Sequence, residues 1–332
     1  MKYVLIGDMH VKKENIEESQ RVIDWVISVC QEYRATPVFM GDQYDAMGVK
    51  RLEIEEFWFH AYNKINQELG VKSISLTGNH DLSSDAKSSA MTVHSDQTTV
   101  VDAMGDSLEG NIGFVGFIRD NTAFILKAHE MASSGMKYIF CHAEFNGAQY
   151  ENGFYAPGGI DIEQLPPVFF ISGHIHKQQK INKAGGAYII YTGTPRMLTR
   201  SDIGEVKGIH IFDSQTGLDF IPTPKEVAEP FVEVNIKEGE EVPAFTATAK
   251  TYVNIHGSKD FIKKICKDIP IEAKIRTHPD SDIKTSDVKE SEGIPVAFNK
   301  YTKAFFNEVD LTIAQAVLDS VYKACPSLKL GV

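Results

Sequence analysis

The sequence predicts an α/β fold followed by a smaller unit, and three observations lead to this prediction. The first half alternates short apolar runs with amphipathic segments of helical period, which is the pattern of βαβ units. Acidic, amide and imidazole residues follow directly after several apolar runs, at the strand ends where open α/β sheets collect ligands. A proline-containing stretch at 222–230 then separates residues 1–222 from residues 230–332.

The first half accounts for three strands and two helices. Tyr3–Gly7, Pro37–Met40 and Ser73–Leu76 are short apolar runs that predict strands. Between them, Glu14–Tyr33 and Leu52–Leu69 carry apolar residues at helical spacing. Parallel strands joined by crossover helices are therefore expected in this region.

The second half is predicted to contain more strands with shorter connections. Residues 81–95 are rich in Ser and Asp and predict a loop, and Thr122–Met131 predicts a helix. Because the late strands are separated by short turns, we expect this part of the sheet to be more antiparallel. The predicted strands are Asn111–Ile118, Lys137–Cys141, Val168–Ile171, Ala187–Tyr191, Gly208–Phe212 and Leu218–Ile221.

The C-terminal unit is predicted to be small and of the α+β type. Thr251–His256, Lys259–Asp268 and Ile271–Arg276 form a strand-helix-strand pattern. Thr277–Gly293 is polar, and Asp310–Cys325 predicts a last amphipathic helix.

Composition bounds the class of protein. Of 332 residues, 42% are hydrophobic and 24% charged, as in ordinary globular proteins. No run approaches the roughly 20 apolar residues of a membrane span, and the N-terminus lacks the design of a signal peptide. We therefore expect no membrane association and a cytoplasmic location. The scattered cysteines fit a reducing compartment and argue against a cysteine-bound zinc: Cys30, Cys141, Cys266 and Cys325.

The charge is unevenly distributed along the chain. The formal net charge is −11, which is unfavourable for binding nucleic acid. Residues 251–332, however, carry 12 Lys and Arg against 11 Asp and Glu, so the negative excess lies in the earlier residues. Bound cations would offset part of that excess at metal ligands.

Five short motifs end in residue types that bind divalent metals. Taken singly, glycine-containing motifs of this kind are more often turns, and a lone histidine is more often a surface or core residue. Their joint occurrence in this order, each after a predicted strand, favours a metal site instead. The motifs are Asp8-Met9-His10, Gly41–Asp45, Gly78–Asp81, His142 and Gly173–His176.

Seven residues of these motifs are the predicted metal ligands. Oxygen and nitrogen donors without sulfur suit manganese, iron or zinc, and manganese is favoured because it tolerates carboxylates and water. Asp42 has two oxygens and could bridge two ions. The predicted ligands of two divalent ions, most simply Mn(II), are Asp8, His10, Asp42, Asn79, His142, His174 and His176.

Two further residues of the third motif are the predicted catalytic groups. His80 is assigned the role of general acid that protonates a leaving oxygen. Asp81 is expected to accept a hydrogen bond that orients the His80 ring. Two roles are open for Asp45: it could support the metal site, or it could cap the next helix.

The order of the motifs resembles that of the calcineurin-like metallophosphoesterases over residues 1–176. The resemblance implies two packed sheets flanked by helices. It also implies how the ligands divide between two metals. One metal would be held by Asp8, His10, Asp42 and His176, and the other by Asp42, Asn79, His142 and His174.

A later segment resembles the SbcD/Mre-eleven nucleases and the phage recombination endonuclease subunits. Its residues are Tyr191–Arg196, Glu205–Ile209 and Phe212-Asp213. This resemblance implies a nuclease domain at 1–222, a capping domain at 230–332, and Mn-dependent exonuclease and endonuclease action on DNA ends in repair and recombination. It further implies an SbcC-type coiled-coil ATPase as partner and a homodimer.

Two alternatives stay open. A phosphodiesterase or phosphatase for small molecules or phosphoproteins would use the same ions with a narrow pocket. A non-catalytic module is less favoured because no ligand is lost. The lysines of the helix predicted at Lys259–Asp268 give it a basic face, which either meets phosphates or is simply solvated.

Overall fold

The computed structural model describes residues 2–85, 88–103, 106–156, 158–182 and 186–279. The chain divides into two compact units, Met1–Phe231 and Val232–Val332. The helix predicted at Asp310–Cys325 lies outside the described residues, as does most of the polar segment Thr277–Gly293.

The first unit contains a six-stranded sheet in the order β12-β11-β1-β2-β3-β4. The four strands β1 to β4 pair in parallel, whereas β11 pairs antiparallel with both β1 and β12. The strands are β1 (Lys2–Ile6), β2 (Thr36–Phe39), β3 (Ile74–Leu76), β4 (Thr99–Val101), β11 (Gly208–Asp213) and β12 (Gly217–Pro222).

Two 18-residue helices connect the parallel strands of this sheet. Helix α1 (Ile16–Tyr33) has acidic residues in its first turn, where they favour the helix dipole, and it ends at Arg34 in the left-handed conformation. Helix α2 (Leu52–Leu69) ends at Gly70, also left-handed. Their apolar faces bury one side of the sheet, as where Trp58 packs edge-on against Phe39 with ring centroids 5.4 Å apart.

A second six-stranded sheet has the order β5-β6-β7-β8-β10-β9. Helix α3 (Asn121–Ser133) begins at Asp120, whose carboxylate accepts a hydrogen bond from the Ala123 amide at 2.9 Å. It packs on the outer face of this sheet. The strands are β5 (Asp106–Glu109), β6 (Ile112–Val115), β7 (Tyr138–His142), β8 (Phe169–Gly173), β9 (Gln179–Asn182) and β10 (Tyr188–Tyr191).

The two sheets face each other across a shared apolar layer. Alternation along β1 directs Val4 and Ile6 towards α1 and α2 and directs Tyr3 and Leu5 towards the second sheet. The unit is therefore layered as helix, sheet, sheet, helix, which confirms the predicted α/β class and the expected pair of sheets flanked by helices.

The expectation of a more antiparallel second half is wrong for the centre of the second sheet. Strands β6, β7, β8 and β10 are all parallel, and only the edge pairs β5–β6 and β9–β10 are antiparallel. The reason is that α3 connects β6 to β7, and the long connection 143–168 leads from β7 to β8, so neither link is a hairpin.

The second unit is a three-stranded parallel sheet with one described helix. Strands β13 (Val232–Lys237), β14 (Thr251–Gly257) and β15 (Lys274–Pro279) lie in that order. Helix α4 (Lys259–Ile265) is capped by Ser258 and buries Ile262 against the sheet. Strand β15 starts later than predicted because Pro270 opens a turn that Ala273 closes.

Within the part of the chain that the structure describes, no helix is long and apolar enough to cross a membrane.

The carboxyl ends of the strands in the two sheets approach each other closely at glycines. A Cβ atom on Gly7, directly after β1, would lie 1.6 Å from the carbonyl oxygen of Gly193, which follows β10. A Cβ on Gly173 at the end of β8 would lie 2.4 Å from the carbonyl oxygen of Met40, which follows β2. Side chains at these positions would push the sheets apart.

We predict that Gly7→Ala lowers the free energy of unfolding by about 3 kcal/mol or more, because backbone atoms cannot move away as a flexible side chain could. Gly158→Ala is the matched control, since a Cβ there meets no atom within 4 Å, and it should change stability by less than about 0.5 kcal/mol. Urea denaturation measures both. Equal stability of the two variants would contradict the close approach of the sheets.

Candidate metal centre

The seven predicted ligands converge at the carboxyl ends of strands from both sheets. Asp8 and His10 follow β1, Asp42 follows β2, and Asn79 follows β3. His142 ends β7, while His174 and His176 follow β8. Because the crossover connections make these strands parallel within each sheet, the loops at their carboxyl ends lie at one edge of the sandwich.

One group of three ligands forms what we call the His176 half-site: Asp8, His10 and His176. The Nε2 atoms of His10 and His176 are 3.0 Å apart, and His176 Nε2 lies 3.6 Å from Asp8 Oδ2. All three residues offer donor atoms within 4.8 Å of one another.

A second group forms the His174 half-site: Asn79, His142 and His174. Asn79 Oδ1 lies 2.8 Å from His174 Nδ1 and 3.1 Å from His142 Nε2. The two histidine nitrogens are themselves 3.2 Å apart. Like the first group, this one draws on both sheets.

Asp42 joins the two half-sites. Its Oδ2 atom lies 3.7 Å from His10 Nε2 and 3.4 Å from His142 Nε2. Its Oδ1 atom accepts a hydrogen bond from the His80 amide at 2.8 Å, so Oδ2 is the oxygen that faces the ligands. One carboxylate oxygen is thus placed to serve two ions.

The donor set fits divalent cations. Ligand atoms about 2.0–2.2 Å from a common ion are separated from one another by roughly 3–3.5 Å, which matches the spacings within each half-site. Facing pairs of imidazole nitrogens at 3.0 and 3.2 Å are explained if both members present lone pairs to an ion. Carboxylate, amide and imidazole donors without sulfur agree with manganese, iron or zinc.

The backbone is strained at three of the ligands. Among described residues other than glycine, positive φ angles occur at Arg34 and at three predicted ligands, His10 (41°), Asp42 (51°) and His174 (81°). Such angles are costly for residues with a side chain and persist where the surroundings impose them. The strain lies in three of the five segments that the motifs identified.

Burial and neighbouring charges shift the pKa values of several predicted ligands. Burial raises the pKa of Asp8. Although burial opposes charge on both members of the next pair, the attraction between Asp42 and His142 holds the pKa of Asp42 below its usual range and raises that of His142 to about 9. Because cations bind ionised carboxylates and neutral imidazoles, metal binding would displace this shared proton.

Neighbouring groups fix the orientation of the histidine rings. His142 Nδ1 donates to the Met40 carbonyl at 2.8 Å, which leaves Nε2 as the ligand atom. His176 Nδ1 lies 3.0 Å from Glu151 Oε1, and His174 Nε2 lies 3.5 Å from Glu144 Oε2. Sequence reasoning missed both glutamates, although the position of Glu144, two residues beyond His142, was a signal for one of them.

Arg196 and Lys207 support the His176 half-site from behind and were also missed as supporting residues. The buried Arg196 guanidinium donates from Nη2 to the Met9 carbonyl at 2.6 Å and lies 3.6 Å from Glu18. Lys207 Nζ donates to the His176 carbonyl at 2.9 Å. Both belong to the segments singled out by the nuclease resemblance, so in this chain those segments hold two ligand loops in place.

His80 lies beside the centre, but Asp81 does not orient its ring. His80 Nδ1 donates to the Asp45 carbonyl at 2.6 Å, and its ring meets that of His10 edge-on at 4.7 Å. Asp81 is buried and accepts from the amides of Tyr44 (3.1 Å) and Gly78 (2.8 Å). The expected hydrogen bond from the His80 ring to Asp81 is therefore wrong.

Asp81 and Asp45 each have a supporting contact instead. Burial raises the pKa of Asp81 to about 7, and its carboxyl group links the second motif loop to the third. Asp45 supports His80 through its backbone carbonyl. It does not cap α2, whose N-cap is Arg51.

Comparisons with known proteins give structural likeness only. No family model and no curated protein matches the chain. A dimetal phosphatase from Danio rerio is similar at 12% identity and a TM-score of 0.44, over 68% of this chain and 99% of that one. A hypothetical protein from Thermus thermophilus is similar at 13% identity and a TM-score of 0.42, over 68% of this chain and 100% of that one. The phosphoesterase Yfce from E. coli is similar at 10% identity and a TM-score of 0.32, over 68% of this chain and 100% of that one. Likeness at this level bears on neither activity nor substrate.

We predict that Asp42→Asn weakens Mn²⁺ binding at both half-sites, by more than the roughly 10–100-fold that outer-shell changes cost, because the shared oxygen loses its charge. Asp8→Asn should weaken only the His176 half-site and leave one ion bound. Calorimetric titration of the metal-free protein gives the number of ions and their affinities. Asp219→Asn, an exposed position on β12, is the control and should keep the wild-type isotherm. Two ions bound by Asp42→Asn at wild-type affinity would exclude the shared-ligand geometry.

Proposed function

We propose that this chain is a two-metal phosphodiesterase. The observation that carries the proposal is the pair of half-sites that share Asp42 Oδ2. Paired sites of this kind suit hydrolysis of phosphate esters, because the phosphate oxygens and the attacking and leaving oxygens all need charge stabilisation.

The roles of the side chains follow from their positions. When bound, two divalent ions would supply Lewis-acid stabilisation of the phosphate and a lowered pKa for the attacking water. The seven ligands would hold and space the ions. His80 uses Nδ1 to donate to the Asp45 carbonyl, so its free ring nitrogen is Nε2. Protonated Nε2 is the group that we assign to donate a proton to the leaving oxygen.

We infer that the substrate is DNA and that the metal is manganese. The DNA assignment is supported by the resemblance of the sequence to SbcD/Mre-eleven nucleases and by exposed cations in the second unit. Lys259, Lys263 and Lys264 on α4 are exposed, as is Arg276 on β15. These cations could contact a phosphate backbone independently of sequence.

The partners implied by the same resemblance belong to this proposal. An SbcC-type coiled-coil ATPase would deliver duplex ends to the nuclease, and a homodimer would present two centres. A purified complex that digests linear duplex DNA faster than this chain alone would support the ATPase assignment.

A second candidate is a phosphodiesterase or phosphatase for small molecules or phosphoproteins. The net charge of −11 favours it, since repulsion of a polyanion weakens DNA binding. The chemistry at the centre would be the same, and only the groups that contact the rest of the substrate would differ.

We expect His80→Ala to retain both ions while hydrolysis falls by roughly 10²–10⁴-fold, the contribution of a positioned general acid. Calorimetry with Mn²⁺ and initial rates on bis-p-nitrophenyl phosphate separate the two effects. His60→Ala is the control, because His60 is exposed on α2, where its Nε2 lies 3.9 Å from Glu56 Oε1 and its ring lies edge-on to that of Phe59. A wild-type rate of hydrolysis by His80→Ala would contradict the general-acid role. Loss of one ion from His80→Ala would instead show that His80 is a metal ligand, since its donor atom lies within 4.8 Å of those of His10 and Asp42.

The substrate class is tested by offering the Mn²⁺-loaded protein linear duplex DNA, single-stranded DNA and bis-p-nitrophenyl phosphate. We expect DNA to be cut from its ends and to be preferred over the small ester in kcat/KM. Activity on the small ester alone would favour the second candidate. A protein that binds two ions and cleaves none of these substrates would refute the phosphodiesterase proposal.

A further inference from the structure

A cavity of about 330 Å³ opens beside the His174 half-site. Its volume lies within the range of small-molecule sites. The ligand residues Asn79 and His174 form part of its wall. Three further lining residues, Phe117, Ile118 and Arg119, belong to the loop after β6, residues 116–120, which no motif identified.

This loop is fixed against the first sheet. The Phe117 amide donates to the Thr77 carbonyl at 2.7 Å, and a Cβ on Gly116 would lie 2.3 Å from Thr77 Oγ1. The Phe117 ring stacks on that of His174, with centroids 6.2 Å apart and planes 22° apart. Asp120 caps α3 at the other end of the loop, so Ile118 and Arg119 lie between two anchored residues.

Arg119 is the cation of this cavity. Its side chain is exposed, and within the described part of the chain it makes no hydrogen bond or ion pair. The acidic residue in the same wall, Glu144, is already engaged by Tyr150 and by His174. A guanidinium on a fixed loop, with no partner among the described residues, is suited to bind phosphate oxygens in a bidentate manner.

Most of the remaining wall is apolar, with Asn121 as its polar member, and this distinguishes the cavity from a simple anion site. Met47, Phe117 and Ile118 line it beside the ligand residues. Such a surface suits a sugar or a base rather than a hydrated ion. A phosphate at the metals, an apolar surface next to it and a cation beyond match the repeating unit of an oligonucleotide.

We propose that the cavity holds the nucleotide next to the scissile phosphate and that Arg119 binds the neighbouring phosphate of the strand. This inference rests on the proposed phosphodiesterase function and names its substrate class as an oligonucleotide with at least two phosphodiesters. A single diester gives Arg119 nothing to bind, so the residue sets substrate preference without taking part in bond cleavage.

The test compares wild type, Arg119→Gln and Arg119→Lys on three substrates: bis-p-nitrophenyl phosphate, a thymidine dinucleotide with one phosphodiester, and a thymidine trinucleotide with two. For Arg119→Gln we expect KM on the trinucleotide to rise about tenfold, the size of a lost hydrogen bond between charged groups. Rates on the two single diesters should be unchanged. The KM of Arg119→Lys on the trinucleotide should lie between those of the wild type and Arg119→Gln, since lysine keeps the charge but not the bidentate geometry.

Binding provides a readout that does not depend on turnover. Fluorescence anisotropy of a labelled trinucleotide with the metal-free protein should show a Kd raised about tenfold in Arg119→Gln. Lys72→Gln is the matched control: it removes one exposed charge before the amino end of β3, at the opposite edge of the sheet, and should leave KM and Kd unchanged.

The outcomes separate the two proposals. No hydrolysis of any of the three substrates by the wild type would refute the phosphodiesterase function itself. Suppose that the wild type hydrolyses all three substrates and that Arg119→Gln has the same KM and Kd for the trinucleotide as the wild type. That result would overturn the inference about Arg119 and leave the phosphodiesterase function standing. Equal losses on all three substrates would also overturn it, because Arg119 would then not recognise a second phosphate of a strand.

Discussion

The close approach of the two sheets at the carboxyl ends of their central strands is the constraint on which the rest of the structure depends. Gly7, Gly41 and Gly173 occupy positions where a Cβ would meet an atom of the opposite sheet within 2.4 Å. At Gly41 that atom is His142 Nδ1, so the glycine that starts one ligand loop makes room for the ring of another ligand. Only in this arrangement can ligands from five strand ends reach the same small volume.

Close approach alone would leave the ligands free to turn away, and two further features hold them. Positive φ angles at His10, Asp42 and His174 aim these side chains back towards the centre. Backbone carbonyls and carboxylates then fix the rings, as Met40 does for His142 and Glu151 does for His176. The His176 half-site is additionally supported by Arg196 and Lys207, which hold its backbone rather than its side chains. The two halves of the centre are thus built differently.

Much of this could be predicted from the sequence, because the ligands stand directly after apolar strands and the order of motifs is informative. The βαβ pattern predicted the parallel strands of the first sheet, and the convergence of Asp8, Asp42 and Asn79 follows from the direction of those strands. The parallel centre of the second sheet could not be predicted from turn lengths, since 143–168 is a long connection without a strong helical period. Contacts such as Arg196 with the Met9 carbonyl join residues far apart in the chain, and no local pattern records them. The contact of Asp81 was misassigned because its neighbour in sequence, His80, points to a different group in space.

Because the ligands are divided between the two sheets, the centre exists only when the sandwich is assembled. An ion that binds there has no comparable site in the unfolded chain, so its binding energy adds to the cohesion of the sheets. At a hundredfold excess over its dissociation constant, one such ion would contribute about 2.7 kcal/mol. A bound cation would also offset the repulsion between Asp8 and Asp42, which contributes to the raised pKa of Asp8. The lifetime of the folded chain would therefore depend on the concentration of metal around it.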